Sequence, residues 1–246
     1  MRSRICTIKL KNMKENIESK NIGNRKFIIE LRYEPKVTML DVKGALVEKI
    51  QETNVFPCSH WEIGQSEVII RDDKKKEDAH NVVLVTLNRI SFISYKIHSV
   101  ESFYANFTKV YEAVTKVLAP LTITRIGCRI IGTYKTTSSD YKDVLKNFQD
   151  SFPAKFLLDK YPARDLLFNL TYENGMYQIG PININDDFYK REFDIPDYTK
   201  HVGVAIDTDN YLTNDGQEIN EKSLIKDVYM LSLSVEKELY SNLMNF

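Results

Sequence analysis

Residues 81–134 read NVVLVTLNRISFISYKIHSVESFYANFTKVYEAVTKVLAPLTITRIGCRIIGTY, and the change of period along this stretch decides the fold. Over 81–96, Val, Ile, Leu, Phe and Tyr crowd together, and 82–87 is nearly continuous in apolar residues, as in a strand inside a sheet. From Ser99 the period becomes helical. Phe103, Phe107, Val110, Val114 and Val117 recur at three- and four-residue spacings, with Ser99 as the predicted N-cap and Ala119-Pro120 as the stop. A further strand is predicted over 121–134.

Working outward, residues 26–33 alternate, with Phe27, Ile29, Leu31 and Tyr33 on one face and Ile28, Glu30 and Arg32 on the other. Pro35 ends that strand, and Met39, Val42, Leu46 and Ile50 mark a short helix that stops at 54–57. Strands over 60–72 follow, and the mixed-sign run DDKKKED at 72–78 reads as an exposed turn. On the other side come a helix over 139–148 and a hairpin of 163–172 with 176–182 around Asn174-Gly175. A strand over 202–207 and a long helix over 221–244 complete the chain. That helix is read with Leu224, Val228, Leu231, Val235, Leu239 and Leu243 as its buried stripe.

The pattern predicts an α+β protein built of two helix-backed, mainly antiparallel sheets. The halves are alike in outline, which suggests pseudo-duplicated half-domains, although no residue-level repeat is present. The expected division is a basic segment 1–25, a first half 26–136 and a second half 137–246, or one continuous domain.

The 246 residues carry 34 Lys and Arg against 34 Asp and Glu, with 43% apolar and 28% charged residues. That is globular composition, which sets aside disorder, collagen and coiled coil. No apolar run reaches the ~18 residues of a membrane span. The N-terminus scatters charges where a secretion signal would have an apolar core. The expectation is a soluble cytoplasmic chain that uses no membrane. Cys6, Cys58 and Cys128 show no CxxC spacing, so neither a disulfide framework nor a cysteine zinc site is suggested. No glycine-rich phosphate cradle occurs, and no cofactor is implied. Zero net charge argues against a dedicated nucleic-acid binder. The charge is nevertheless uneven: 1–26 holds eight basic residues against Glu15 and Glu18, and 183–221 holds ten acids against Lys190, Arg191 and Lys200. Compensating solvated segments explain this most simply; nucleic-acid contact through the basic N-terminus is the less favoured reading.

The segment 82–134, ending in Ile123-Thr-Arg-Ile-Gly-Cys-Arg-Ile-Ile-Gly132, resembles the signature of a large, sporadically distributed and functionally uncharacterised bacterial and archaeal family. Its members typically carry Arg-hydrophobic-Gly-hydrophobic-Arg-Tyr-hydrophobic-Asn after such a helix. Here Ile130 and Gly132 stand where that pattern has the aromatic residue and the Asn. The family's closing strand, hydrophobic-Asp-hydrophobic-Asp before a long helix, is similar to Val204-Ala-Ile-Asp-Thr-Asp-Asn210. The resemblance implies the architecture and a prokaryotic setting among toxin–antitoxin or phage-defence genes, and no known activity.

In a strand, Arg125, Gly127 and Arg129 share one face, so two guanidiniums flank a glycine where an anion or planar group could approach the backbone. Asp207 and Asp209 share a face of the last strand and are the natural internal partners if the arginines are structural. Arg125, Gly127, Arg129 and Asp207 are therefore the candidate binding residues. Asp207, Asp209, Thr213, Asp215 and Glu218 fall at calcium-loop positions, but Leu212 replaces the required glycine. Asp207, Asp209 and Glu218 form the most concrete metal set, that of a nuclease-like phosphodiester hydrolase with Arg125 or Arg129 on phosphate. His60, His80, His98 and His201 make no ligand-like pair, and Trp61 is expected to anchor the core. The favoured expectation is a non-enzymatic protein that binds a protein partner or itself; the metal-dependent hydrolase is the alternative.

Overall fold

A computed structural model describes residues 17–75, 78–96, 99–151, 166–184, 186–193, 199–213 and 221–244. Among these residues, nine strands form one antiparallel sheet: β1 (Ile22–Tyr33), β2 (His60–Ile63), β3 (Glu67–Arg71), β4 (Asn81–Thr86), β5 (Arg89–Ser94), β6 (Ile123–Lys135), β7 (Phe168–Tyr172), β8 (Gly175–Ile182) and β9 (Gly203–Thr213). Their order is β2-β3-β4-β5-β1-β6-β9-β8-β7. The helices are α1 (Lys43–Gln51), α2 (Val100–Leu118), α3 (Tyr141–Ser151), α4 (Phe188–Phe193) and α5 (Glu221–Met244).

The expected pair of sheets is therefore one. What joins them is β1 with β6, whose register runs from Ile22↔Tyr134 to Tyr33↔Ile123. Each long strand also pairs with the last strand of the meander that follows it, β1 with β5 and β6 with β9.

Alternation separates the two faces of the sheet. Phe27, Ile29 and Leu31 of β1, Val83 and Val85 of β4, and Ile126, Cys128 and Ile130 of β6 are buried together with Leu46 and Ile50 of α1, Phe103, Phe107 and Val114 of α2, and Val228 and Tyr229 of α5. Farther along the same face, Tyr134, Val204 and Ile206 pack with Val144 and Phe148 of α3 and Leu243 of α5. Each fully buried side chain of this kind contributes ~1.5 to 3 kcal/mol of transfer free energy. Ser99 caps α2 as predicted: its hydroxyl accepts the Ser102 N–H at 3.0 Å, and Ser102 Oγ accepts the Ser99 N–H at 3.1 Å.

Three readings change. Trp61 is 49% exposed, on β2 at the edge of the sheet. Leu231 is 39% exposed, while Ser232 and Glu236 of α5 are buried. The stripe of α5 is rotated because the strands below it carry polar groups that need partners. Arg25, assigned to the basic segment, is buried in β1: its Nε and Nη2 donate to Glu236 at 3.0 and 2.6 Å, and the Tyr134 hydroxyl donates to the same carboxylate. Residues 1–16 of that segment lie outside the described residues.

Candidate binding face

The sheet face opposite α1, α2, α3 and α5 is covered over Gly180 by residues 166–167, at Thr133 by His201, and farther along by α4. There Phe193 packs on Ile131, with Phe188 and Tyr95 beside them. Lys26 Nζ reaches α4 from β1, donating to the Glu192 carbonyl at 2.8 Å. This helix was not predicted; six residues rich in charge carry too little helical periodicity to be seen.

The rest of this face follows from register. Ile28 of β1 lies opposite Ile93 of β5 on one side and Arg129 of β6 on the other. Arg129 in turn lies opposite Asp209 of β9, and Glu30 opposite Ser91 and Gly127. The alternation that sent Phe27, Ile29 and Leu31 inward thus gathers Arg125, Gly127, Arg129, Asp207 and Asp209 on the open side, as the sequence implied. Glu218 lies outside the described residues.

Four guanidiniums and four carboxylates interlock here. The Asp207 carboxylate receives Arg129 through Nε at 3.0 Å and Nη2 at 2.6 Å, and Arg129 Nη2 also meets Glu192 at 3.4 Å. This fork-on-carboxylate geometry raises the pKa of Arg129, with the Asp207 hydrogen bond as the main cause. Glu30 accepts from Arg32 Nε at 2.7 Å, Arg89 Nη1 at 3.3 Å and Ser91 Oγ at 3.3 Å, and lies 3.9 Å from Arg125. Asp209 meets Arg125 only at 3.6 Å, longer than a hydrogen bond. Burial therefore raises the pKa of Asp209 despite the opposing pull of Arg125 and Arg129.

At Gly127 the Arg125 side chain lies alongside the backbone. Arg125 stacks on Tyr211, its Cζ 4.5 Å from the ring centre, and a Cβ on Gly127 would lie 3.8 Å from that same Cζ. Beside the ionic ladder, Ile69, Val82, Leu84, Ile93 and Ile28 are half-buried across β3, β4, β5 and β1 and make an apolar stripe.

Sequence reading missed Glu30, Arg32, Arg89, Glu192 and Tyr211 as members of this surface. A signal existed for Glu30 and Arg32, which were assigned to the polar face of their strand; what was missing was the neighbour across the sheet.

As chemistry, the arrangement offers paired charges and apolar area, and no activated nucleophile. Both Asp207 oxygens are engaged by Arg129, so a cation at Asp207 and Asp209 would have to displace a guanidinium. Positions 207–213 of the calcium-loop count are extended strand in β9, which spreads their side chains over two faces. Among the described residues, no three His, Cys, Asp or Glu side chains gather as a metal-holding group, and no helix is long and apolar enough to cross a membrane. No protein-family model matches the chain, and no curated protein is significantly similar to it.

Proposed function

We propose that this chain is a non-enzymatic binding protein that presents the open sheet face to a protein partner. One observation carries the reading: half-buried aliphatic side chains of β3, β4, β5 and β1 and an ion-paired ladder lie side by side on the sheet face opposite α1, α2, α3 and α5. An apolar stripe beside fixed charges suits protein recognition, in which the apolar part supplies affinity and the charges supply register. Each guanidinium of the ladder already has a carboxylate beside it, which favours protein over nucleic acid. The corresponding outlines of the two halves support an origin from one repeated unit, and the Arg-x-Gly-x-Arg strand, here in β6, supports kinship with the sporadically distributed family it resembles.

The test is affinity capture by the full chain followed by identification of what is held. Leu84→Glu and Ile93→Glu should keep the wild-type circular dichroism and lose the captured protein. Lys222→Glu, on α5 across the molecule, should retain it. Equal capture by all three variants would refute the assignment of the face. Cleavage of DNA or RNA that requires Mg²⁺ or Mn²⁺ and disappears in Asp207→Asn would replace this reading with the hydrolase.

A further inference from the structure

Among the described residues the sheet ends at β2, whose outer edge has no partner strand. The Gly64 N–H donates to the Glu67 carbonyl at 2.9 Å, and this bond sets the phase of the ladder behind it. Alternating from there, His60 and Glu62 turn their backbone groups toward β3, while Trp61 and Ile63 turn theirs outward over the edge. Trp61 lies opposite Ile70 and Ile63 opposite Val68, so their side chains stand on the helix-bearing side of the sheet. Both are exposed there.

The edge is fixed in place by α1. Lys43 Nζ, at the start of that helix, donates to the Gly64 and Gln65 carbonyls at 2.8 and 2.7 Å, and Gln51 Nε2, at its end, donates to the Cys58 carbonyl at 3.4 Å. The helix therefore runs lengthwise beside β2 and still leaves Trp61 and Ile63 in water. Edges that must stay single are guarded by Lys, Pro or a bulge; this one presents an indole and a branched aliphatic chain. On the opposite side of the strand, Glu62 Oε1 accepts from Arg71 Nη1 at 2.6 Å and lies 3.2 Å from His60 Nε2. Both contacts fall on one oxygen, which leaves Oε2 for a further donor.

We infer that β2 pairs antiparallel with β2 of a second copy, Trp61 opposite Trp61, and continues the sheet across a twofold axis. Facing residues of antiparallel strands share a side of the sheet, so the pairing must be centred on Trp61 or on Glu62 to join the two strands over their length. Centring on Glu62 sets two carboxylates face to face, which is repulsive. Centring on Trp61 sets His60 of each copy against Glu62 of the other, an imidazole donor against the remaining carboxylate oxygen. The outward N–H and C=O of the two Trp61 residues then exchange hydrogen bonds, and their indoles meet on the helix-bearing side, where a tryptophan is a strong interface anchor. With 34 basic against 34 acidic residues, no net charge drives two copies apart.

The experiment is sedimentation equilibrium of the full chain from about 1 to about 300 µM, the affinity range of a small interface. The mass rises from 28.6 kDa toward twice that value. His60→Glu, and separately the double variant His60→Lys with Glu62→Lys, each weaken the dimer by about tenfold or more, because like charges then face each other at both crossings. Mixed in equal amounts, these two variants associate, since every crossing in the mixed pair joins Glu to Lys; that rescue also shows both to be folded. Trp61→Lys dissociates the dimer, whereas Tyr172→Lys on the far edge strand β7 and Leu84→Glu on the open face leave it intact, so the dimer and the partner-binding face fail separately. The inference is overturned if the wild-type mass stays at 28.6 kDa throughout, if the mixture associates no better than either variant alone, or if Tyr172→Lys or Leu84→Glu dissociates the dimer and Trp61→Lys does not.

Discussion

Replacing Glu236 by Gln tests what holds the two halves together. Glu236 of α5 is 1% exposed and Arg25 of β1 is 9% exposed, and they share two hydrogen bonds of 3.0 and 2.6 Å. Tyr134 of β6, fully buried, donates to the same carboxylate, so one side chain ties both central strands to the helix above them. The Arg25 guanidinium also lies 4.8 Å from the centre of the Phe27 ring, away from water. Glutamine keeps the shape and removes the charge, stranding a buried cation at a cost of ~3 to 5 kcal/mol. For a chain of this size each kcal/mol moves the melting temperature by roughly 2 to 4 °C, so the expected fall is about 6 to 20 °C. Exchanging Arg25, Tyr134 and Glu236 together for Met, Phe and Leu should recover most of this loss, because no uncompensated charge remains. Glu112→Gln is the control. It breaks an ion pair of the same 2.6 Å length to Lys222, but with side chains 44% and 62% exposed, and should leave the melting temperature unchanged. Calorimetric melting of the four proteins at one pH decides the matter. A Glu236→Gln protein that melts with the Glu112→Gln control refutes the argument that burial, not distance, sets the strength of the pair.

Asp207→Asn should destabilise by only ~1 to 2 kcal/mol, measured by urea unfolding, since Arg129 retains Glu192 and about a third of its own side chain remains in water. A loss near that of Glu236→Gln would show the open-face pair to be as dry as the buried one. Gly203→Ala should cost ~3 kcal/mol or more, because its Cβ would stand 1.9 Å from the backbone oxygen of Tyr134, whereas Gly127→Ala, with nothing nearer than 3.7 Å, should stay within ~1 kcal/mol of wild type. Equal melting temperatures would contradict the β6–β9 register. Burial and Lys135 lower the pKa of His201 below 6.5, so the unfolded chain takes up the proton first as pH falls and stability is lost on acidification through that value. The melting temperature of His201→Asn should therefore gain on that of wild type between pH 8 and pH 5, and parallel curves would rule the linkage out.

The legible part of this protein is whatever one strand or helix settles by its own period. Alternation in residues 26–33 and 123–134 was enough to send Phe27 and Ile126 inward and Glu30 and Arg129 outward, because neighbouring side chains of a strand point to opposite faces whatever lies beside it. Helical spacing and the Ser99 cap likewise located α2. The candidate face was half legible for the same reason: Arg125, Gly127, Arg129, Asp207 and Asp209 could be grouped by parity, but the partners that pair with or cover them come from β1, β5 and α4, elements remote in sequence.

Where parity and polarity disagreed, only packing could decide. Ser232 and Glu236 lie on the buried side of α5 although an apolar stripe would exclude them. The Cys128 carbonyl and Asn210 wait below for Ser232, at 3.0 and 3.1 Å, and Arg25 waits for Glu236. Leu231 is turned toward solvent as a consequence. Two sheets became one for a similar reason. The period of β1 and of β6 states which way each side chain points, but an edge is closed only by the hydrogen bonds of another strand, and β1 and β6 are the edges that meet. Local steric period can be read from the chain alone; the pairing of edges and the matching of buried polar groups exist only once distant segments are brought together.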